Sequence, residues 1–481
     1  MTGECEPLTA RRNTGRRAAA GPQKLHGFFL DRAAASPLLV CAFALGAPLA
    51  AHAQSASAPS RGTIAYTTQP GDSLYNVADR YLADPGDWTA LARLNRVGTP
   101  EHLQPGHTLR LPVALLRQVS QAAGVLATSG PASRSWRNGP FLPLIEGSSL
   151  VEGDRIQTGD EGFATLELPD GTHLVILPNS LVEIGTLRQT VLTGSVDRVM
   201  NLRRGEVDSE VTHATKKDDR FQIRSPSVVA GVRGTRFRVD YADNGSTAVE
   251  VLDGAVGVDN ARAAPARGVP LQASTQLVTA RHGSLTPAGA AVGSPRLLLD
   301  EPTLIRAARV QSDADVYFDV KPLDGAHGYR VQIGRDAGLL DLIRDVRSDG
   351  THVVVGPLPD GTYFVRVSAI DADGLEGMPA TYAFERRRFS LSASAGAAGA
   401  HNYVFRWMAG RSASPTHYRF VLSASKDLHA PLVDRSDLPG NALTVSNLAH
   451  GVYYWTVIAE QFDHGRFYQK VGAVQSFRIE Q

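Results

Sequence analysis

The sequence is poor in cysteine and aromatic residues and has no surplus of either charge. Two cysteines among 481 residues exclude a disulfide-stapled scaffold. Aromatic residues make up 7%, and 49 Lys+Arg against 48 Asp+Glu leave a formal net charge of +1. Because no basic surplus is present to neutralise phosphates, we expect no nucleic-acid partner. The length predicts about three or four domains, and 46 Gly with 28 Pro indicate turn-rich structure.

Residues 1–53 are predicted to be a signal peptide. A basic stretch at 11–24 precedes a short apolar run at 36–51, and an Ala-His-Ala site follows at 51–53. This order is typical of secretory signals. The run is broken by two prolines and is shorter than the ~20 residues that a membrane-spanning helix needs. We expect cleavage after Ala53, a periplasmic or cell-envelope location, and no membrane span in the mature chain. A retained membrane anchor is the alternative.

Both cysteines, Cys5 and Cys41, lie inside that predicted signal. A mature chain without thiols suits an oxidising compartment. Residues 54–62 are rich in small residues and are expected to be a linker.

The next stretch, 63–112, has the pattern of one small βααβ unit. Ile64, Tyr66 and Thr68 alternate as a strand, and a Pro-Gly-Asp-Ser turn at 70–73 precedes a helix expected to begin near Leu74. A Pro-Gly-Asp break separates this helix from a second one, and Pro-Gly at 105–106 introduces a second strand.

The string YTTQPGDSLYNVADRYLADPGDWTALARLNRVGTPEHLQPGHTLRLP resembles a LysM domain. The resemblance implies a carbohydrate-binding module for polymers that contain N-acetylglucosamine, which makes peptidoglycan the expected partner. It also implies a groove between two loops. One wall would be Gly71, Asp72, Ser73 and Leu74, and the other Val97, Gly98, Thr99, Pro100 and His102. Alternatively, Asp72 and Ser73 only cap the helix, Leu74 is core, and His102 is an exposed loop residue.

Residues 113–140 are expected to be a linker, after which 141–285 become all-β. Short alternating runs are separated by Gly-Asp, Asp-Gly and Pro-Asn turns. The motifs GDRIQTG, LPDGT, LRRGEV, SPSVVAGVRGTRF and VLDGAV follow in the order of a FecR domain, which this span resembles. The resemblance implies a location outside the cytoplasm. Arg233 could mark an anion site, but the glycines around it favour a tight turn that leads Thr235 and Phe237 into a sheet. Residues 286–298 are expected to be a linker.

The final third contains an internal repeat. GYRVQI at 328–333 is echoed by HYRFVL at 417–422, and LPDGTY at 358–363 by LAHGVY at 448–453, about 90 residues later. The pattern resembles tandem immunoglobulin-like or fibronectin type III-like sandwiches, expected at 299–387 and 388–481. Tyr363, Tyr453, Phe318 and Trp407 are then core residues.

The sequence does not favour an enzyme. The 14 histidines are scattered without a metal-ligand spacing, and the predicted mature chain has no thiol nucleophile. We expect no cofactor and no metal. The fold class is therefore multidomain and mainly β, with a βααβ module, an all-β FecR-like domain and two sandwiches. The expected function is anchoring to peptidoglycan with display of the β-domains to other envelope proteins. The alternative is an envelope-sensing signalling component that acts through the FecR-like domain.

Overall fold

A computed structural model describes residues 62–263, 274–305, 310–399, 401–410, 415–463 and 465–480. The predicted signal peptide at 1–53, and all of the expected linker at 54–62 except its last residue, lie outside these ranges. No helix within the described ranges is long and apolar enough to cross a membrane. The described chain is mainly β, as predicted.

The N-terminal module has the predicted βααβ order. Its two strands pair antiparallel from Thr63↔Pro112 to Thr67↔Thr108. Leu74, Val77 and Leu91 point from the helices into a core with Leu109 and Leu111, and all five are fully buried. The elements are β1 (Thr63–Thr67), α1 (Leu74–Tyr81), a 3₁₀ turn (Pro85–Asp87), α2 (Trp88–Asn95) and β2 (Thr108–Pro112).

The second domain is an all-β barrel built from two sheets that share one long strand. The first half of that strand, β12, pairs with β11 and β13, and its second half pairs with β15 and β10. A single apolar core fills the interior, with Leu202, Phe237 and Val251 fully buried. The strands are β3 (Gln118–Ser120), β4 (Ala123–Ser129), β5 (Ala132–Trp136), β6 (Leu142–Pro143), β7 (Ser149–Leu150), β8 (Asp154–Thr158), β9 (Phe163–Glu167), β10 (His173–Ile176), β11 (Leu181–Thr190), β12 (Val196–Val211), β13 (Arg220–Arg224), β14 (Val228–Val232), β15 (Thr235–Tyr241), β16 (Thr247–Asp253), β17 (Ala255–Asn260), β18 (Gln276–Thr279), β19 (His282–Thr286) and β20 (Arg296–Leu297).

The prediction of a linker at 113–140 is wrong, because this segment is part of the folded barrel. Its strand β4 pairs with β9, and β5 pairs with β8. Before them, Arg117 donates through its backbone N–H to the Tyr81 carbonyl at 2.7 Å and through Nε to the Leu82 carbonyl at 3.1 Å. The segment therefore fastens the N-terminal module to the barrel and then supplies barrel strands.

The linker expected at 286–298 is also ordered structure. Its strand β20 pairs with β19, and Val292 is buried in the barrel core. Leu298 is 3% exposed and packs with Ala248 of the barrel and Leu375 of the next domain. The sequence does not predict these contacts, because isolated apolar residues in a segment rich in Gly, Ala and Pro form no strand pattern.

The last two domains are β-sandwiches of matching design. Each has a three-stranded and a five-stranded sheet around an apolar core. The first consists of β21 (Leu304–Ile305), β22 (Val310–Gln311), β23 (Val316–Val320), β24 (Gly328–Gly334), β25 (Leu342–Ser348), β26 (His352–Gly356), β27 (Gly361–Ile370) and β28 (Ala380–Arg386). The second consists of β29 (Leu391–Ala397), β30 (Tyr403–Ala409), β31 (Thr416–Ser423), β32 (Val433–Leu438), β33 (Ala442–Val445), β34 (Gly451–Asp463), β35 (Arg466–Val471) and β36 (Gln475–Ile479).

The repeated residues occupy equivalent positions in the two sandwiches. Phe318 and Trp407 are core residues of β23 and β30, 4% and 3% exposed. Tyr363 donates its hydroxyl to the Pro359 carbonyl at 3.1 Å, and Tyr453 donates to the Ala449 carbonyl at 2.8 Å. Both tyrosines thus close a strand corner four residues upstream, and the predicted core role of all four aromatic residues is confirmed.

The barrel and the first sandwich share a closely packed boundary. Phe163 and Val175 of the barrel cluster with Leu339 and Leu342 of the sandwich, all nearly buried. Next to this apolar patch, the buried Arg330 of β24 faces carboxylates of the barrel. Because the barrel covers it, β24 is buried on both faces along its whole length.

Candidate functional site

The first predicted groove wall is a tight turn organised by a buried carboxylate. Gly71 has a φ of 86° and is exposed, with open space where a side chain would be. Asp72 is 5% exposed. Its Oδ2 accepts the Tyr66 hydroxyl and the Gln69 backbone N–H, both at 2.7 Å. Burial, together with the hydrogen bond to Asp72, raises the pKa of Tyr66. The Asp72 side chain is therefore committed to the turn.

Ser73 and Leu74 also have structural side chains. Ser73 is the N-cap of α1: its Oγ accepts the Asn76 N–H at 3.2 Å, while Asn76 Oδ1 accepts the Ser73 N–H at 2.9 Å. This reciprocal pair is a capping box. Leu74 is fully buried in the module core. Of the two predicted capping candidates, Ser73 caps the helix and Asp72 does not.

The second predicted wall lies in the loop between α2 and β2. The helix ends at Asn95, and its C-cap Arg96 has a left-handed φ of 55°. Val97 is half-buried, and its N–H donates to the Ala92 carbonyl at 3.0 Å. Gly98 and Thr99 are exposed, and Gly98 has open space where a side chain would be.

Backbone hydrogen bonds bring the two walls together. The Leu74 N–H donates to the Pro100 carbonyl at 2.8 Å, and the Leu103 N–H donates to the Asp72 carbonyl at 3.0 Å. Pro100 is half-buried, whereas His102 is exposed, with Nδ1 2.7 Å from the Glu101 carbonyl oxygen. The loop pair is therefore fixed in position before any ligand binds.

The residues left facing solvent define what this loop pair can recognise. Gly71, Gly98, Thr99 and His102 are exposed around the hydrogen-bonded junction. They offer backbone amides, a hydroxyl and an imidazole, and none carries a fixed charge. Such groups suit the hydroxyl and acetamido groups of a sugar. Glu101, exposed in the same loop, adds one carboxylate beside them. The remaining predicted site residues can contribute only through their backbone or partly covered surfaces.

Two aromatic residues that are not among the predicted site residues lie side by side on the two helices of the module. Tyr75 is 42% exposed, and its ring centroid lies 4.8 Å from that of Trp88 at the start of α2. The helical spacing indicates that Tyr75 is exposed, because it lies next to Leu74 in α1 but off the apolar stripe of Leu74, Val77 and Ala78.

Asn95 has a structural role, because its side chain pairs with both the N–H and the carbonyl of Arg110.

Two family models match the chain. Residues 66–112 match the LysM domain, and residues 154–257 match the FecR protein family. LysM domains bind peptidoglycan-type glycans, and both families are non-catalytic and typical of cell-envelope proteins.

Other similarities are short or distant. A curated uncharacterised protein of Deinococcus radiodurans is 39% identical over 51 residues, which span 11% of this chain and 20% of that protein. A candidate anti-sigma factor from Parabacteroides distasonis has a TM-score of 0.23 at 19% identity, covering 30% of this chain and 59% of its own. The FN1-FN3 domains of chicken CNTN1 have a TM-score of 0.21 at 13% identity, covering 58% of this chain and 95% of that structure.

The order of domains follows from the two matches and the strand pairings described above. The chain contains a LysM domain and, after it, a FecR domain, followed by two β-sandwiches.

Proposed function

We propose that this protein anchors itself to peptidoglycan through its LysM domain and holds the three following β-domains at the cell wall. The observation that carries the proposal is the loop pair fixed by the Leu74–Pro100 and Leu103–Asp72 hydrogen bonds, with the exposed residues Gly71, Gly98, Thr99 and His102 around it. A site ordered in advance loses less conformational freedom on binding. Export by the predicted signal peptide is part of this proposal.

The β-domains would then act as a rigid display for other envelope proteins. This proposal is supported by the packing of the barrel on the first sandwich and of the first sandwich on the second. At the latter boundary, Arg387 Nη1 lies 2.7 Å from Asp463 Oδ2, and its guanidinium carbon lies 3.9 Å from the centroid of the Tyr468 ring. A linked array of this kind raises the local concentration of each domain at the wall.

The test is a steric block of the groove. Gly98→Phe places a ring in open space without a left-handed φ, so the fold should persist. The matched control is Gly440→Phe in the second sandwich, where the added side chain also meets open space. We expect the wild type and G440F to pellet with purified insoluble peptidoglycan and G98F to remain in the supernatant. Equal pelleting of G98F would overturn the assignment of this groove.

We further propose that the chain is not an enzyme. The LysM and FecR families are non-catalytic, and the two other domains are sandwiches with closely packed cores. Incubation with peptidoglycan should release no soluble fragments, whereas release above a heat-denatured control would contradict the proposal.

A second candidate is envelope sensing through the FecR domain, favoured by the match at 154–257. Under this hypothesis, loss of the protein changes transcription of a defined gene set. In that deletion strain, the G98F variant should restore normal transcription of the gene set only if sensing does not depend on glycan binding. Unchanged transcription in the deletion strain would exclude this candidate.

A further inference from the structure

A cavity of about 390 Å³ opens in the FecR domain beside β12, at a place that neither the LysM groove nor the domain boundaries use. Its walls come from β12 and the loop that follows it, and from the ends of β13 and β14. Gln121 after β3, the β9–β10 turn with Asp170, and the end of β11 with its turn to β12 complete them. The volume lies in the range of small-molecule sites, about 300–1,000 Å³.

Arg198 of β12 forms the buried cationic part of the wall. Its side chain is 2% exposed and pairs with Asp170. Its Nη2 is 3.5 Å from Gln121 Oε1, and its Nε is buried without a hydrogen-bond partner in the part of the chain that the structure describes. A buried guanidinium with an unsatisfied donor is unusual, since such groups are normally fully hydrogen-bonded. The protein alone therefore does not satisfy all the donors of Arg198.

Lys216 contributes a second positive charge at the cavity wall. Its Nζ lies over the backbone of Gly194, where an added Cβ would be 2.5 Å from it. Within the described ranges, this ammonium group has no ion pair or side-chain hydrogen bond. Lys216 is thus exposed at the cavity wall, with its charge unpaired among the described residues.

The two acidic residues of the wall do not neutralise these charges fully. Asp170 accepts Arg198, the Thr212 hydroxyl at 2.7 Å and the Thr172 N–H at 3.1 Å. Asp219 accepts the N–H groups of Val196 and Lys216, at 3.1 and 2.9 Å.

Two more arginines, Arg220 and Arg233, line the cavity. Arg220 pairs with Asp197 at 2.5 Å. Arg233 uses its Nη2 to bind the carbonyls of Lys216 and Lys217, so it holds the loop that carries Lys216 in place. Four cationic side chains thus line the cavity against its two carboxylates and Asp197, the partner of Arg220, which leaves one positive charge in surplus.

We propose that this cavity binds a small molecule that carries carboxylate or phosphate groups, with its negative charge between Arg198 and Lys216. Arginine recognises both oxyanions through directed N–H donors, and lysine adds a compact point charge. Thr212 and Gln121 in the wall can hydrogen-bond the rest of the ligand, and Phe221 can cover an apolar part. The inference does not depend on glycan anchoring.

The experiment is a calorimetric titration of the full chain with citrate and, separately, with inorganic phosphate, at constant ionic strength. Lys216→Gln removes the free charge at an exposed position. Lys217→Gln is the matched control, because it makes the same charge change one residue away, outside the cavity wall.

We expect saturable binding of at least one probe to the wild type and to K217Q, and binding weakened about tenfold in K216Q. Citrate binding alone would identify a carboxylate ligand, and phosphate binding alone would identify a phosphate ligand. Absence of saturable binding up to about 10 mM, a concentration well above that of a millimolar site, would overturn the proposal. An equal loss in K216Q and K217Q would also overturn it, since that result means unspecific charge attraction.

Discussion

Arg330 of the first sandwich and Glu206 of the FecR domain form an ion pair across the domain boundary. The Nη1–Oε1 distance is 2.6 Å, and the two side chains are 2% and 8% exposed. The same guanidinium lies 2.6 Å from Glu376 Oε2 and pairs with Asp345. One arginine therefore pairs with three buried carboxylates that come from two domains.

A second buried arginine crosses the boundary in the other direction, from the FecR domain to the first sandwich. Arg238 belongs to the FecR domain, is 2% exposed, and donates to the carbonyls of Glu376 and Gly377 of the sandwich, both at 3.0 Å. Arg366 of the sandwich in turn reaches Asp208 of the barrel at 2.6 Å. Each domain thus places buried charges against opposite charges of the other domain, so the two should fold as one cooperative unit.

Removal of Arg330 tests this cooperation. Arg330→Met leaves buried carboxylates uncompensated and should lower the free energy of unfolding by about 3–5 kcal/mol. Arg335→Met is the control, because Arg335 pairs with Asp341 at an exposed position and should cost about 0–1 kcal/mol. Urea unfolding followed by circular dichroism measures both variants. A loss in R330M no larger than in R335M would contradict the role of the boundary.

Stability should also depend on pH through Glu250. Burial raises the pKa of Glu250 from 4.5 to about 8, although Arg238 opposes the shift and Glu376 and Glu206 add to it. Between pH 4.5 and 8 the folded state holds a proton that the unfolded state has released. The free energy of unfolding should therefore fall as the pH rises through this window.

Glu250→Gln provides the check, because an amide cannot titrate yet still accepts the Glu376 N–H that Glu250 Oε1 accepts at 3.2 Å. Burial raises the pKa of Glu206 in the same direction, to about 7, so a residual slope should remain. The pKa of Glu376 is lowered by Arg238 and Arg330 against the effect of burial, and its contribution is lost only on the acid side of this window. The check is the melting temperature measured between pH 5 and 9. If it fell equally steeply with pH in E250Q and in the wild type, Glu250 would not be the group responsible.

The tyrosine corners should be equivalent in the two sandwiches. Tyr363→Phe and Tyr453→Phe each remove one hydrogen bond from a nearly buried hydroxyl and should each cost about 1 kcal/mol. Tyr382→Phe is the control, since Tyr382 packs beside the same core but is only partly buried. Unequal costs at the two corners, measured by chemical unfolding, would show that the repeat is not energetically matched.

Gly234 should tolerate no side chain. Its φ is 96°, and an added Cβ would lie 2.6 Å from the Cα of His213. Gly356 has a similar φ of 93° but open space around it, so Gly356→Ala should cost only the left-handed penalty of about 1–2 kcal/mol. Gly234→Ala should cost more, because the His213 backbone must move. Equal losses of stability in the two variants would exclude the close contact as the reason for this glycine.

The sequence predicted those features whose signals are local. The βααβ module, its turn at 70–73 and the repeated corner motif are each specified by residues within a few positions of one another. The same holds for the turn at Arg233, where Gly234 adopts its left-handed φ and Thr235 and Phe237 enter β15, 4% and 0% exposed. Of the predicted site, the two walls do meet, but the side chains of Asp72, Ser73 and Leu74 serve the fold.

The features that the sequence did not predict depend on distant partners. The sequence places β4 in a linker, because its partner β9 lies about 40 residues further along the chain and nothing in the composition of β4 indicates the pairing. Arg330 stands 124 residues from Glu206, and an arginine in an alternating strand ordinarily faces solvent. Only the barrel packed on β24 turns that outer face into an interior one.

The most direct test of the central claim is retention of the predicted mature chain, beginning at Gln54, on purified insoluble peptidoglycan. The protein should pellet with the polymer, and soluble N-acetylglucosamine oligosaccharides should release it in proportion to their concentration. A chain that stays in the supernatant, or that pellets but is not displaced by the oligosaccharides, would contradict recognition of the glycan by the LysM domain.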